Sequence, residues 1–144
     1  MLVQQILKAK GVSEVVTISP DASVGDAAKT LSEKRIGTVV VSKTGNDAQG
    51  ILSERDIVRE IGRRGPGCLS ESVETMMTRD LVTCHRDDKA DGVLSKMTDG
   101  RFRHMPVMDG DQMVGLISLG DVVKARLSEV SMEKDALEGM IMGY

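Results

Sequence analysis

With 144 residues, 40% of them hydrophobic and 28% charged, the chain is sized for one compact domain or two small units sharing a core, and it is too apolar to stay disordered. The formal net charge of −3 and the scarcity of aromatic residues, only Phe102 and Tyr144, supply neither a basic surface nor stacking platforms for nucleic acid. The core must be aliphatic, with ten Met available to fill irregular gaps.

In chain order, "MLVQQILKAK" has a helix-like pattern, so residues 1–11 are predicted as an N-terminal helix; they lack the long apolar run and cleavage site of a secretory leader. No membrane span is expected, and the predicted location is cytoplasmic. Cys68 and Cys84 lack a second Cys pair or the His spacing of a zinc site, so they are read as free thiols in a reducing compartment. The two histidines are too far apart in sequence to indicate a metal site, and none is expected.

The remainder reads as a doubled unit. "VTISPDASVGDAAKTL" (16–31) falls on "VTCHRDDKADGVLSKM" (82–97) at a constant offset of 66. Val24, Ala27, Ala28 and Leu31 in the first copy, and Ala90, Val93, Leu94 and Met97 in the second, trace the apolar stripe of an amphipathic helix. "GTVVVS" and "HMPVMD" follow as short strands, then the turn-rich "TGNDAQ" and "GDQ", then "GILSERDIV" (50–58) and "GLISLGDVV" (115–123). Each copy thus reads β-α-β-β-α. Pro106, which has no N–H for a ladder, points to a strand start or an edge. The Gly- and Ser-rich stretch between the copies is read as a connector. The predicted plan is a helix over 1–11, repeat 1 over 12–64, a connector over 65–78, repeat 2 over 79–128 and a helical tail over 129–144.

Both copies keep Gly, Ser and Asp at matching places: Gly50, Ser53 and Asp56, then Gly115, Ser118 and Asp121. Ser-x-x-Asp at a strand-to-helix corner is a capping box variant and needs no ligand. The same corner also places a serine and an acid where free N–H groups and the helix dipole attract phosphate. A carboxylate there accepts from ribose hydroxyls, and an aliphatic wall can sandwich a purine. Both readings can hold together.

In "VVTISPDASVGDAAKTL", "IGTVVV" and "GILSERDIV", followed by "LVTCHRDDKADGVL", "RFRHMPVMD" and "GLISLGDVV", the chain resembles a tandem CBS-domain protein, a CBS pair or Bateman module, from about residue 12 to 128. The resemblance implies an α/β (α+β) fold of two β-α-β-β-α repeats packed with pseudo-twofold symmetry, plus a C-terminal helix. It also implies a sensor of adenosine ligands: AMP, ADP, ATP, NAD(H) or S-adenosylmethionine. Carried over, one cleft combines Thr17 and Ile18 with Arg103, His104, Met105, Pro106, Ser118 and Asp121. The other combines Thr83 and Cys84 with Gly37, Thr38, Val39, Ser53, Arg55 and Asp56. Arg103 and His104 make the first cleft the preferred one for a phosphorylated ligand, because guanidinium binds phosphate in a bidentate way. Cys84 either lines a cleft or is simply a small buried side chain.

Nothing resembles a nucleophile with its base or a pair of carboxylates poised for acid–base work. "HRD" at 85–87 lacks the rest of a kinase signature, and "GRRGPG" lacks the Lys-Ser/Thr ending of a P-loop. No enzymatic activity and no required cofactor are expected. In the tail, Val123, Leu127, Val130, Leu137 and Ile141 form a heptad-like seam interrupted by Lys134. The expectation is a helix pairing two copies into a homodimer or docking on a regulated protein, against one folded back on its own domain. The alternative function is an interaction module acting through that helix, with vestigial clefts; binding through "GRRG" and "RFRH" to nucleic acid is a weaker third.

Overall fold

The structure is a computed structural model that describes residues 1–11 and 14–141. The first two positions of the predicted repeat 1 and the last three of the predicted tail lie outside the described residues. The elements are α1 (Val3–Lys10), β1 (Thr17–Ile18), α2 (Val24–Lys34), β2 (Thr38–Val41), β3 (Gly50–Ser53), α3 (Glu54–Arg64), α4 (Ala90–Gly100), β4 (His104–Asp109), β5 (Gln112–Ser118) and α5 (Leu119–Ile141). This is a mixed α/β chain, and it divides into two compact units. A first-repeat unit takes residues 14–82 and 110–114; a second-repeat unit takes the N-terminal segment with α1, residues 83–109, and the chain from Gly115 onward.

In the first-repeat unit, β2 lies between β1, parallel to it, and β3, antiparallel to it. Thr17 is opposite Val40, and Thr38 is opposite Ser53. Every residue of β2 is buried, which is why "TVVV" is an unbroken β-branched run with no polar alternation. The predicted stripe of α2 is its core face: Val24, Ala27 and Leu31 pack with Val39, Val41, Leu52 and Ile57. Ser23 caps the helix by accepting from Asp26 N–H at 3.0 Å.

Residues 65–78 are not a free connector. Gly65, at φ 83°, ends α3, and two short 3₁₀ turns follow at Pro66–Ser70 and Val73–Thr75. Val24 N–H donates to Glu71 O at 2.9 Å and Val73 N–H to Ala22 O at 2.8 Å, while Ile51 and Thr78 exchange two bonds of 3.0 and 2.9 Å. Val73 is fully buried in the same cluster. The segment completes the first repeat's core, which its glycine and serine content concealed.

The second-repeat unit uses the N-terminus in that place. Ala90 N–H donates to Met1 O and Val3 N–H to Asp88 O, both at 2.9 Å, matching bond for bond the pairs Val24–Glu71 and Val73–Ala22. Val3 and Ile6 are buried, as are Ala90, Val93 and Met97 on the predicted face of α4. α1 and α4 both pack on α5. Each repeat is thus closed by a segment lying before the other in sequence.

The predicted opening strand of the second copy is reduced to one parallel bridge, Cys84 with Val107. In the first copy Val40 N–H donates to Val16 O at 3.1 Å and Ser42 N–H to Ile18 O at 2.9 Å. In the second copy Met108 N–H donates to Cys84 O at 2.8 Å, but Pro106 stands at the place of Val40 and has nothing to donate. Thr83 therefore lies outside any strand. The helix of repeat 2 and the described part of the predicted tail are one element, since α5 runs unbroken to Ile141. Among the described residues, no helix is long and apolar enough to cross a membrane.

Candidate functional site

Both strand-to-helix corners are capping boxes. At the first, Asp56 N–H donates to Ser53 Oγ at 3.2 Å, and Ser53 N–H returns a bond of 3.0 Å to Asp56 Oδ2. Ser53 Oγ also lies 2.9 Å from Oδ2, and Arg59 of the same helix holds Oδ1 at 3.0 Å. Glu54 N–H donates to Gly37 O at 2.8 Å, tying the entrance of β2 to the start of α3. The Glu54 carboxylate leans over Gly37, its Oε1 lying 3.5 Å from where a Cβ would stand. Arg55 is exposed and Thr38 is buried.

At the second corner, Asp121 N–H donates to Ser118 Oγ at 3.1 Å and Ser118 N–H to Asp121 Oδ2 at 2.9 Å. Leu119 N–H donates to Arg103 O at 2.7 Å, the counterpart of the Glu54–Gly37 bond. The outer partner differs. Lys10 of α1 places Nζ 2.8 Å from Asp121 Oδ2 and donates to Leu116 O at 3.0 Å. Burial pushes the Asp121 carboxyl upward, but the Lys10 hydrogen bond, the Ser118 N–H and the Lys10 charge outweigh it and hold the group below its ordinary value. His104 is shifted down, first by burial, then by the Lys10 and Arg103 charges, with Asp121 opposing, so its surroundings favour the neutral imidazole.

The two corners are alike in backbone and differ in the charged side chains around it. Gly37 and Glu54 of the first stand where the second has Arg103 and Leu119. At the second, Lys10 pairs with Asp121, and His104 feels the charges of Lys10, Asp121 and Arg103. Lys10 was not among the residues drawn from sequence: no local pattern links it to a strand 106 positions away.

Val39 and Met105 are fully buried, and Val39 is a member of the hydrophobic core. Cys84 is buried with its thiol pushed up to about 12, chiefly by burial; it is a packing residue. Pro106 is also buried, and its carbonyl accepts from Cys84 N–H at 3.0 Å. Thr17, Ile18 and Thr83 are half-buried; the first two belong to the first-repeat unit and Thr83 to the second. Among the described residues no cluster of His, Cys, Asp and Glu is arranged to hold a metal.

Comparison with known proteins bears directly on these corners. The CBS domain family matches the chain twice, over residues 9–63 and 73–128. A CBS domain-containing protein of Arabidopsis thaliana named CBSX3, mitochondrial, is 34% identical over 98% of this chain and 72% of its own length. The crystal structure of the CBS-domain containing protein ATU1752 from Agrobacterium tumefaciens superposes with a TM-score of 0.81 at 43% identity, covering 88% of this chain and 99% of that one. The CBS domain pair of protein MJ0100, solved with 5'-methylthioadenosine and S-adenosyl-L-methionine, has a TM-score of 0.76 at 25% identity over 90% of this chain and 98% of that one. The doubled β-α-β-β-α pattern, the paired Ser-x-x-Asp corners and these matches agree: the chain belongs to the CBS-domain family and carries a CBS pair.

Proposed function

We propose that this chain is a non-catalytic regulatory module that binds an adenosine-containing nucleotide at its strand-to-helix corners and signals by a change of conformation or association. The observation that carries this reading is the Ser118–Asp121 corner. There a carboxylate sits at the N-terminus of a long helix beside Lys10 and Arg103. The acid suits the two hydroxyls of a ribose, while the helix end and the cations suit a phosphate. The MJ0100 pair, whose structure holds two adenosine derivatives, supports this class of ligand. A ligand of this kind acts as a switch only through different affinities for two states. Both cysteines are free and buried, in keeping with a cytoplasmic setting.

Thermal unfolding with AMP, ADP, ATP, NAD, NADH and S-adenosylmethionine in turn tests the reading. A ligand bound only by the folded state stabilises it by about 2.7 kcal/mol at a hundred times its dissociation constant. Stabilisation by one of these ligands, lost on Asp121→Ala, is the expected result; no stabilisation by any of them overturns the reading.

A second reading rests on α5. Its buried residues are Val122 and Ala125, whereas Val123, Leu127, Val130, Leu137 and Ile141 are all exposed. The heptad-like seam is therefore not the face that packs on its own unit. This favours a homodimer, or a docked regulated protein, held along α5.

A further inference from the structure

The Lys10–Asp121 pair has no counterpart at the other corner, and the difference has a chemical consequence. In the first-repeat unit, Ile51 O on β3 accepts from the backbone N–H of Thr78 at 2.9 Å. In the second, the matching carbonyl of Leu116 on β5 accepts from the Lys10 ammonium at 3.0 Å. A backbone amide is replaced by a full positive charge, and that charge reaches Asp121 Oδ2 at 2.8 Å. An ammonium has three N–H donors. Leu116 O and Asp121 occupy two of them, and the lysine side chain is still 31% exposed, so the third is open to an anion.

We propose, building on the nucleotide reading above, that Lys10 is the specificity-determining residue of the Asp121 corner, selecting a 5'-phosphorylated adenosine over an uncharged or sulfonium adenosine of similar size. Asp121 accepts from the ribose hydroxyls while keeping its ion pair, and the remaining N–H of Lys10 turns to phosphate at the 5' side. A sulfonium in that place meets like charge. The Asp56 corner lacks this device: its acid is paired within its own helix by Arg59, and Gly37 and Glu54 replace Arg103 and Leu119. The preference belongs to one corner.

The test is calorimetric titration of the full chain with AMP and with 5'-methylthioadenosine, which keeps the adenosine but carries no phosphate. An Asp56→Ala background confines binding to the Asp121 corner, and each variant's melting curve reports folding. AMP is expected to bind about tenfold or more tightly than 5'-methylthioadenosine, the scale of a hydrogen bond to a charged group. Lys10→Met should bring the two affinities within about threefold by weakening AMP alone, and Lys10→Arg should keep the preference. An unchanged ratio in Lys10→Met, or an equal loss for both ligands, makes Lys10 a staple between α1 and β5 and overturns the proposal while nucleotide binding stands. Absence of binding by either adenosine, AMP, ADP, ATP, NAD, NADH or S-adenosylmethionine in the wild-type chain removes the nucleotide reading and this proposal with it.

Discussion

Gly50 and Met77 touch so closely that a Cβ on the glycine would stand 2.5 Å from the methionine sulfur, and it would also lie 2.9 Å from Thr78 O. Backbone on one side leaves no route of escape. At the matching Gly115, the obstacle is only the end of the Leu7 side chain, at 2.8 Å. Gly50→Ala is expected to cost about 1–3 kcal/mol, as overpacking does. Gly115→Ala should stay within about 1 kcal/mol of wild type, because Leu7 can turn and the unfolded chain loses freedom. Urea unfolding of the two variants compares them directly, and equal costs would refute this assignment of the contacts.

Val3 and Val73 do the same job in different units. Both are fully buried, and both donate to the residue two before an amphipathic helix. Val3→Ala and Val73→Ala should each destabilise by about 1–3 kcal/mol, from lost burial and the cavity left behind. A Val3→Ala variant as stable as wild type would show that the N-terminal segment does not close the second repeat.

His104 sets a pH dependence. Its folded-state pKa lies below the ordinary 6.5 through burial and the neighbouring Lys10 and Arg103 charges, so on acidification the unfolded chain takes up the proton first. Its contribution to stability is complete above the unfolded pKa and is lost as pH falls from there through the folded pKa. Denaturant unfolding at steps between about pH 7.5 and 5.5 should therefore show a smaller decline for His104→Gln than for wild type. Parallel curves would place the dependence elsewhere.

Along α5, Leu127 is 66% exposed, Leu137 59% and Ile141 85%. If this row is the contact between copies, Leu127→Glu with Leu137→Glu should convert a dimer into a monomer in light scattering behind size exclusion. The fold should barely respond, by about 0.5 kcal/mol per site, since these side chains are largely exposed. A wild-type monomer, or a dimer unmoved by both charges, would rule out α5 as the self-association surface.

The duplicated pattern, the amphipathic faces of α2 and α4, the hairpins and the two Ser-x-x-Asp corners were all legible from residues 16–58 and 82–123, because each depends on neighbours a few positions apart. A helix period or a capping box is written in consecutive residues. Tertiary structure alone decided that Val73 and Val3 close the two repeats, that Val39, Met105 and Cys84 are packing residues, and that Lys10 rests on Asp121. These outcomes turn on hydrogen bonds and burial between distant segments, and an α1 lysine carries no local mark of a strand 106 residues later. Even Pro106, visible as a missing donor, showed its effect only once the first copy supplied the bond from Val40 to Val16 that it cannot make.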